Sequence, residues 1–127
     1  MSARLLGALV APLLLWAGGQ AESQNADQKV AVLQGLDKVT ARISTIRAPI
    51  NQPVRFGTLL ITARTCSKRP PEEPPETSAF LEIYDLRQGT GPMLAYSGWM
   101  FASSPALAAM EHAVYDISVI DCVTAAR

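Results

Sequence analysis

The chain has 127 residues with 11 basic and 11 acidic side chains and a single histidine, a length that fits one domain. So even a charge balance excludes the basic footprint that nucleic acid or an anionic membrane surface would select. Two cysteines and one histidine are too few for a zinc set, and neither metal nor cofactor is expected.

Arg4 is followed by an apolar run from Leu5 to Ala17 and then by small residues ending in Gly19-Gln20-Ala21. A charged start, a short apolar stretch and a small-x-small end have the form of a secretory signal peptide, with cleavage expected before Glu22. The run falls short of the roughly 20 apolar residues that span a bilayer, so no membrane span is expected once residues 1–21 are removed. An exported chain meets an oxidising compartment, where Cys66 and Cys122 read first as a disulfide. Closing the loop between them is worth about 4 kcal/mol in the chain-entropy model. The C-x-x-C spacing of a redox pair is absent.

Residues 22–29 are polar and aperiodic, and predict a loose N-terminal arm; one domain then occupies residues 30–127. Val30 to Leu33 opens it, and Gly35-Leu36-Asp37-Lys38 reads as a turn. Thr40 to Ile46 is rich in β-branched residues, with Ala41 and Ile43 on one side and Arg42 and Ser44 on the other, the alternation of a half-buried strand. Pro49 and Pro53 bracket a connection. Val54 to Cys66 is the longest candidate strand; Leu59, Ile61 and Ala63 share a face, and a bulge near Gly57 would bring Val54 and Phe56 to the same side. Cys66 falls on the opposite parity and is expected where the strand ends. Residues 67–78 form a loop stiffened by Pro70, Pro71, Pro74 and Pro75.

Phe80 to Leu86 alternates Leu81 and Ile83 against Glu82 and Asp85. Gly89-Thr90-Gly91-Pro92 is a hairpin turn, so Met93 to Phe101 pairs with the strand before it. Ser104 as N-cap and Pro105 at the first helical position start a short helix that Ala106 to Glu111 continue. Val114 to Cys122 is the closing strand, with Tyr115, Ile117 and Val119 on one face and both cysteines expected off that principal face. Five to seven short strands and one short helix describe a mainly β fold, a small antiparallel sandwich or barrel.

Candidate chemistry is sparse. His112 could join Asp116 or Asp121 and a nearby serine in a hydrolytic relay, but no nucleophile-elbow motif frames any serine. Its place at the end of the expected helix, where an imidazole satisfies terminal carbonyls, is the structural alternative. No catalytic residue is assigned and no enzyme is expected. The candidates for partner contact are Arg69, Pro71, Glu72 and Glu73 in the rigid loop, and Tyr96, Trp99, Met100 and Phe101 in the aromatic stretch. Within that stretch Trp99 and Phe101 are the large side chains expected to fill the core, leaving Met100 or Tyr96 to point outward.

Several strings carry a family resemblance. Leu36-Asp37-Lys38-Val39-Thr40-Ala41-Arg42, Phe56-Gly57-Thr58-Leu59, Cys66 with Lys68-Arg69-Pro70-Pro71-Glu72, and Ser97 through Pro105 with Glu111-His112 and Tyr115-Asp116 resemble the exported bacterial family known as domain of unknown function 2155. The residues that carry it most clearly are Asp37, Lys38, Gly98, Trp99, Ser104, Pro105, His112, Tyr115 and Asp116. Ala113 stands where the family pattern has proline, and Ile117-Ser118 where it has an aliphatic-aromatic pair. The resemblance implies a small periplasmic protein with no assigned activity, and an accessory or assembly role on the periplasmic side of respiratory complex I, the proton-pumping NADH:quinone oxidoreductase of the inner membrane. The resulting expectation is a non-enzymatic module that binds a protein partner. A periplasmic binder of a small ligand or envelope polymer, using Tyr96 and Trp99, is the alternative, and a hydrolase using His112 the most remote one.

Overall fold

The computed structural model describes residues 28–125; the expected signal peptide and nearly all of the expected arm lie outside them. Seven strands follow one another: β1 (Lys29–Asp37), β2 (Arg42–Pro49), β3 (Val54–Phe56), β4 (Leu59–Lys68), β5 (Thr77–Arg87), β6 (Gly91–Phe101) and β7 (Tyr115–Thr124). They form two antiparallel sheets, one ordered β2-β1-β7 and the other β3-β4-β5-β6. Ala31 and Leu33 of β1, Ile46 and Ala48 of β2, Ile61 and Ala63 of β4, Leu81 and Ile83 of β5, and Ile117 and Val119 of β7 meet in one buried cluster between the sheets. Each buried leucine, isoleucine or valine side chain among them stabilises by about 1.5–3 kcal/mol.

Several boundaries differ from the sequence reading. Gly35 is no turn: β1 runs on to Asp37, and Gly35 is small because a Cβ there would lie 2.8 Å from the side chains of Ile46 and Phe56. The turn comes after Asp37, whose Oδ1 accepts from the N–H groups of Val39 (2.9 Å) and Thr40 (3.3 Å). Gly57 is not a bulge inside one long strand. It opens a two-residue turn at positive φ (59°) that folds β3 back onto β4 as a hairpin, the conformation for which glycine is suited. In β2 it is Ile46 and Ala48 that face inward, while Ile43 is exposed. The proline-rich loop is shorter than expected, since Ser67 and Lys68 extend β4 and Thr77 and Ser78 begin β5.

Both cysteines lie on the inner face, opposite to the expected parity, for a shared reason. The β4–β5 register passes from Ala63↔Leu81 to Thr65↔Phe80, leaving Arg64 unopposed; the β1–β7 register passes from Leu33↔Val119 to Val32↔Asp121, leaving Ile120 unopposed. An unopposed residue reverses the parity of everything after it. Two positions later Cys66 and Cys122 are turned into the core, and they are bonded with their Cα atoms 5.9 Å apart. The bond links β4 of one sheet to β7 of the other.

The expected short helix is only a 3-10 turn, Pro105–Ala108. Ser104 makes no side-chain cap bond, and the backbone is already extended at Ala109. Four residues give the turn no apolar stripe, and it contributes no buried residue. The apolar anchor of this connection is Met110, buried against the core beyond the turn.

Candidate functional site

His112 does not end a helix. Its side chain is buried, its Nε2 lies 2.8 Å from Asp85 Oδ2, and its Nδ1 accepts from the N–H groups of Val114 (3.0 Å) and Tyr115 (3.1 Å). Because Nδ1 is the acceptor of two backbone donors, the ring hydrogen resides on Nε2 and is donated to the carboxylate. Asp85 also accepts from Thr58 Oγ1 at 2.7 Å and from Arg87 Nε at 2.9 Å. Burial pushes the Asp85 carboxyl up, but the bonds from His112, Thr58 and Arg87 outweigh it and hold the group below the usual aspartate range. The sequence reading put Asp85 on the polar side of its strand, yet it shares the parity of Leu81 and Ile83 and is buried with them.

Other residues close the same corner. Lys38 donates from Nζ to the His112 carbonyl and from its backbone N–H to the Val114 carbonyl, each at 2.7 Å. Tyr115 meets Phe56 edge-on at 5.4 Å and lies directly over Gly57, where any Cβ would strike its phenol ring. Asp37, Lys38, His112 and Tyr115 therefore converge, and Asp116 follows on β7 opposite Leu36. A Ser-His-Asp relay needs one imidazole nitrogen to face a hydroxyl nucleophile. Here both nitrogens are engaged, one with a carboxylate and one with backbone, so the geometry is that of a latch. It fixes the entry to β7 as the disulfide fixes its exit. Among the described residues no cluster of His, Cys, Asp and Glu could hold a metal ion.

The proline-rich loop is closed by its own hydrogen bonds. Arg69 N–H donates to the Glu76 carbonyl and Glu73 N–H to the Pro70 carbonyl, each at 3.0 Å. Glu76 then reaches across to the end of β6, accepting from Ser103 Oγ (2.6 Å) and Ser103 N–H (3.1 Å). Those Ser103 bonds lower the Glu76 carboxyl from its ordinary value. Arg69, Pro71, Glu72 and Glu73 are all exposed, as a contact loop requires. A shallow cavity of about 410 Å³ lies between this loop, Ser103 and Asp121. Its wall is already spanned by the Lys68–Asp121 ion pair at 2.8 Å.

The aromatic stretch is arranged oppositely to expectation. Met100 fills the core, whereas Trp99 is exposed and Phe101 half-buried. Met100 points inward on the parity of Gly98 and Tyr96, and it joins Met110 in the core cluster. Trp99 stands on the outer face opposite Phe80, their rings edge-to-face at 5.6 Å. Tyr96 donates its hydroxyl to the Trp99 carbonyl at 2.9 Å, and its half-buried phenol is pushed up by desolvation. A further register step leaves Ala95 unopposed, and beyond it Leu94 pairs with Tyr84, both exposed on the same outer face. Trp99, Phe80, Leu94 and Tyr84 thus line the outside of this sheet, with the Arg64–Glu82 pair (2.9 Å) between them.

The molecule is a small disulfide-linked β domain of two antiparallel sheets, with a buried polar latch at one corner and an apolar strand at one edge. The chain belongs to the bacterial family described as "Uncharacterized protein conserved in bacteria (DUF2155)", whose model matches residues 31–122. It is similar to the "Uncharacterized protein RP359" of Rickettsia prowazekii (strain Madrid E), with 29% identity over 87 residues. That alignment covers 68% of this chain and 56% of the relative, so the chain spans a little over half of the relative's length. No solved structure matches the chain.

Proposed function

We propose that this is a periplasmic, non-enzymatic protein-binding module, built as a sandwich of its two sheets and serving as an accessory or assembly subunit of respiratory complex I on the periplasmic side. The observation that carries the binding role is β6: from Gly91 to Phe101 it has no charged residue, and Met93, Leu94 and Trp99 stand exposed along it. Exposed apolar groups gathered on one strand and its neighbour are the surface a partner protein desolvates. The leader-like residues 1–21 and the cysteine pair support export, and the family resemblance supplies the respiratory complex. The engagement of both His112 nitrogens supports a role without catalysis. Affinity purification of a C-terminally tagged form from mildly solubilised membranes, followed by mass spectrometry, tests this reading. Stoichiometric recovery of complex I subunits supports it, and recovery of the tagged protein alone refutes it.

A further inference from the structure

We infer that the cavity between the proline-rich loop and β7 binds an alkylammonium group, with Asp121 and Glu76 facing its charge and the Thr77 hydroxyl accepting one of its N–H donors. Its volume of about 410 Å³ falls within the range of small-ligand sites. Elements of both sheets build it: Lys68 closes β4, Thr77 begins β5, Ser103 follows β6, and Ile120 is the residue that the β7 bulge leaves unopposed. None of its lining residues belongs to the Trp99 and Leu94 face, so it stands or falls apart from the partner role of β6. Thr77 is only 6% exposed, yet among the described residues its hydroxyl has no hydrogen-bond partner. Its backbone alone is engaged, the N–H donating to Glu76 Oε1 at 3.1 Å and the carbonyl accepting from Ala102 N–H at 2.8 Å. A buried hydroxyl without a partner destabilises a fold, and valine has the same shape without that cost, so threonine here points to a ligand.

The chemistry of the wall selects that ligand. Glu76 is fixed by the Ser103 hydroxyl and by the N–H groups of Ser103 and Thr77. Asp121 receives Lys68 Nζ and the Cys122 N–H on Oδ1, each at 2.8 Å, while its Oδ2 has no donor among the described residues. The bonds from Ser103 and from Lys68 hold the Glu76 and Asp121 carboxyls below their ordinary values, so both are charged at neutral pH. Two carboxylates against one lysine leave the lining acidic and rich in acceptors. Such a wall repels an anion and calls for donors, of which an ammonium group supplies three. Pro75, Ala102 and Ile120 offer apolar surface to an alkyl stem. Lys68 is the opposing charge, but its side chain is 54% exposed, so solvent and salt screen it.

Titration of the isotope-labelled, purified chain followed by NMR tests this, with cadaverine and Nα-acetyl-lysine amide as probes and pentanol as the uncharged control. Both amines are expected to shift the amide signals of Thr77, Ser103 and Asp121 and to saturate at roughly millimolar concentration, while pentanol shifts none of them. Tighter binding of cadaverine marks a free diamine as the source of the group, and tighter binding of the lysine derivative marks a lysine of a partner chain. Asp121→Asn is expected to weaken binding about tenfold, the loss of one charge-assisted hydrogen bond. Thr77→Val is expected to weaken binding as well, yet to leave the urea midpoint unchanged or raised, because it removes a hydroxyl that nothing satisfies. That pairing of outcomes is one that loss of folding cannot mimic. No saturable shift with either amine, pentanol binding as well as the amines, full affinity in Asp121→Asn, or a lowered urea midpoint in Thr77→Val overturns the inference.

Discussion

Two of the edge strands, β2 and β6, differ sharply in what they expose. β2 exposes Arg42, Ser44, Thr45 and Arg47 and ends on Pro49, so foreign strands meet charge and a missing donor. β6 is longer, carries no charge and exposes Trp99 on a ring partner, Phe80. Both strands belong to sheets held by the same core, so the contrast is not a demand of folding. It is the contrast on which the proposed partner role of β6 rests.

The largest disturbance removes what holds both edges in place. Replacing Cys66 and Cys122 together by alanine is expected to cost about 4 kcal/mol, read as a lower urea midpoint, a large part of the stability of a domain this size. Asp85→Ala comes next, at about 3 kcal/mol, because it strands the Nε2–H of His112 and the hydroxyl of Thr58 in a buried site. The latch also has a pH signature that the disulfide lacks. Asp85 has its pKa depressed on folding, so its contribution is complete above the ordinary aspartate value of about 3.9 and is lost as pH falls through the depressed value. Urea titrations from neutral pH down through that range should show wild-type stability dropping and the Asp85→Ala chain dropping less.

The features legible in the sequence divide from the illegible ones along physical lines. Alternation marked Leu59, Ile61 and Ala63, and later Ile117 and Val119, as inward residues, and compartment paired the cysteines. The inward parity of Asp85 was also written in its spacing from Leu81 and Ile83, and only its charge hid it. Bulges at Arg64, Ala95 and Ile120 leave no local mark, since none is a glycine, and each reverses the parity of the residues beyond it. Trp99 was misplaced because size was weighed above position: the core beneath β6 is filled by Met100 and Met110, leaving the indole outside. The Asp85–His112 pair joins positions 27 apart and could not be read from either neighbourhood.

Smaller effects sharpen the contrast between the edges. Trp99→Ala is expected to cost about 1 kcal/mol of stability through its lost edge contact with Phe80, yet to remove most partner recovery in affinity purification. Ile43→Ala, at an exposed position of β2, is expected to change stability by less than about 0.5 kcal/mol and to leave recovery unchanged.

The most direct measurement replaces Trp99 or Ile43, one at a time, with a photo-crosslinking amino acid in the full chain and irradiates intact cells. Adducts to complex I subunits from position 99 and none from position 43 are the result that β6 as the receiving edge predicts. Equal adducts from both positions, or none from position 99, would contradict it.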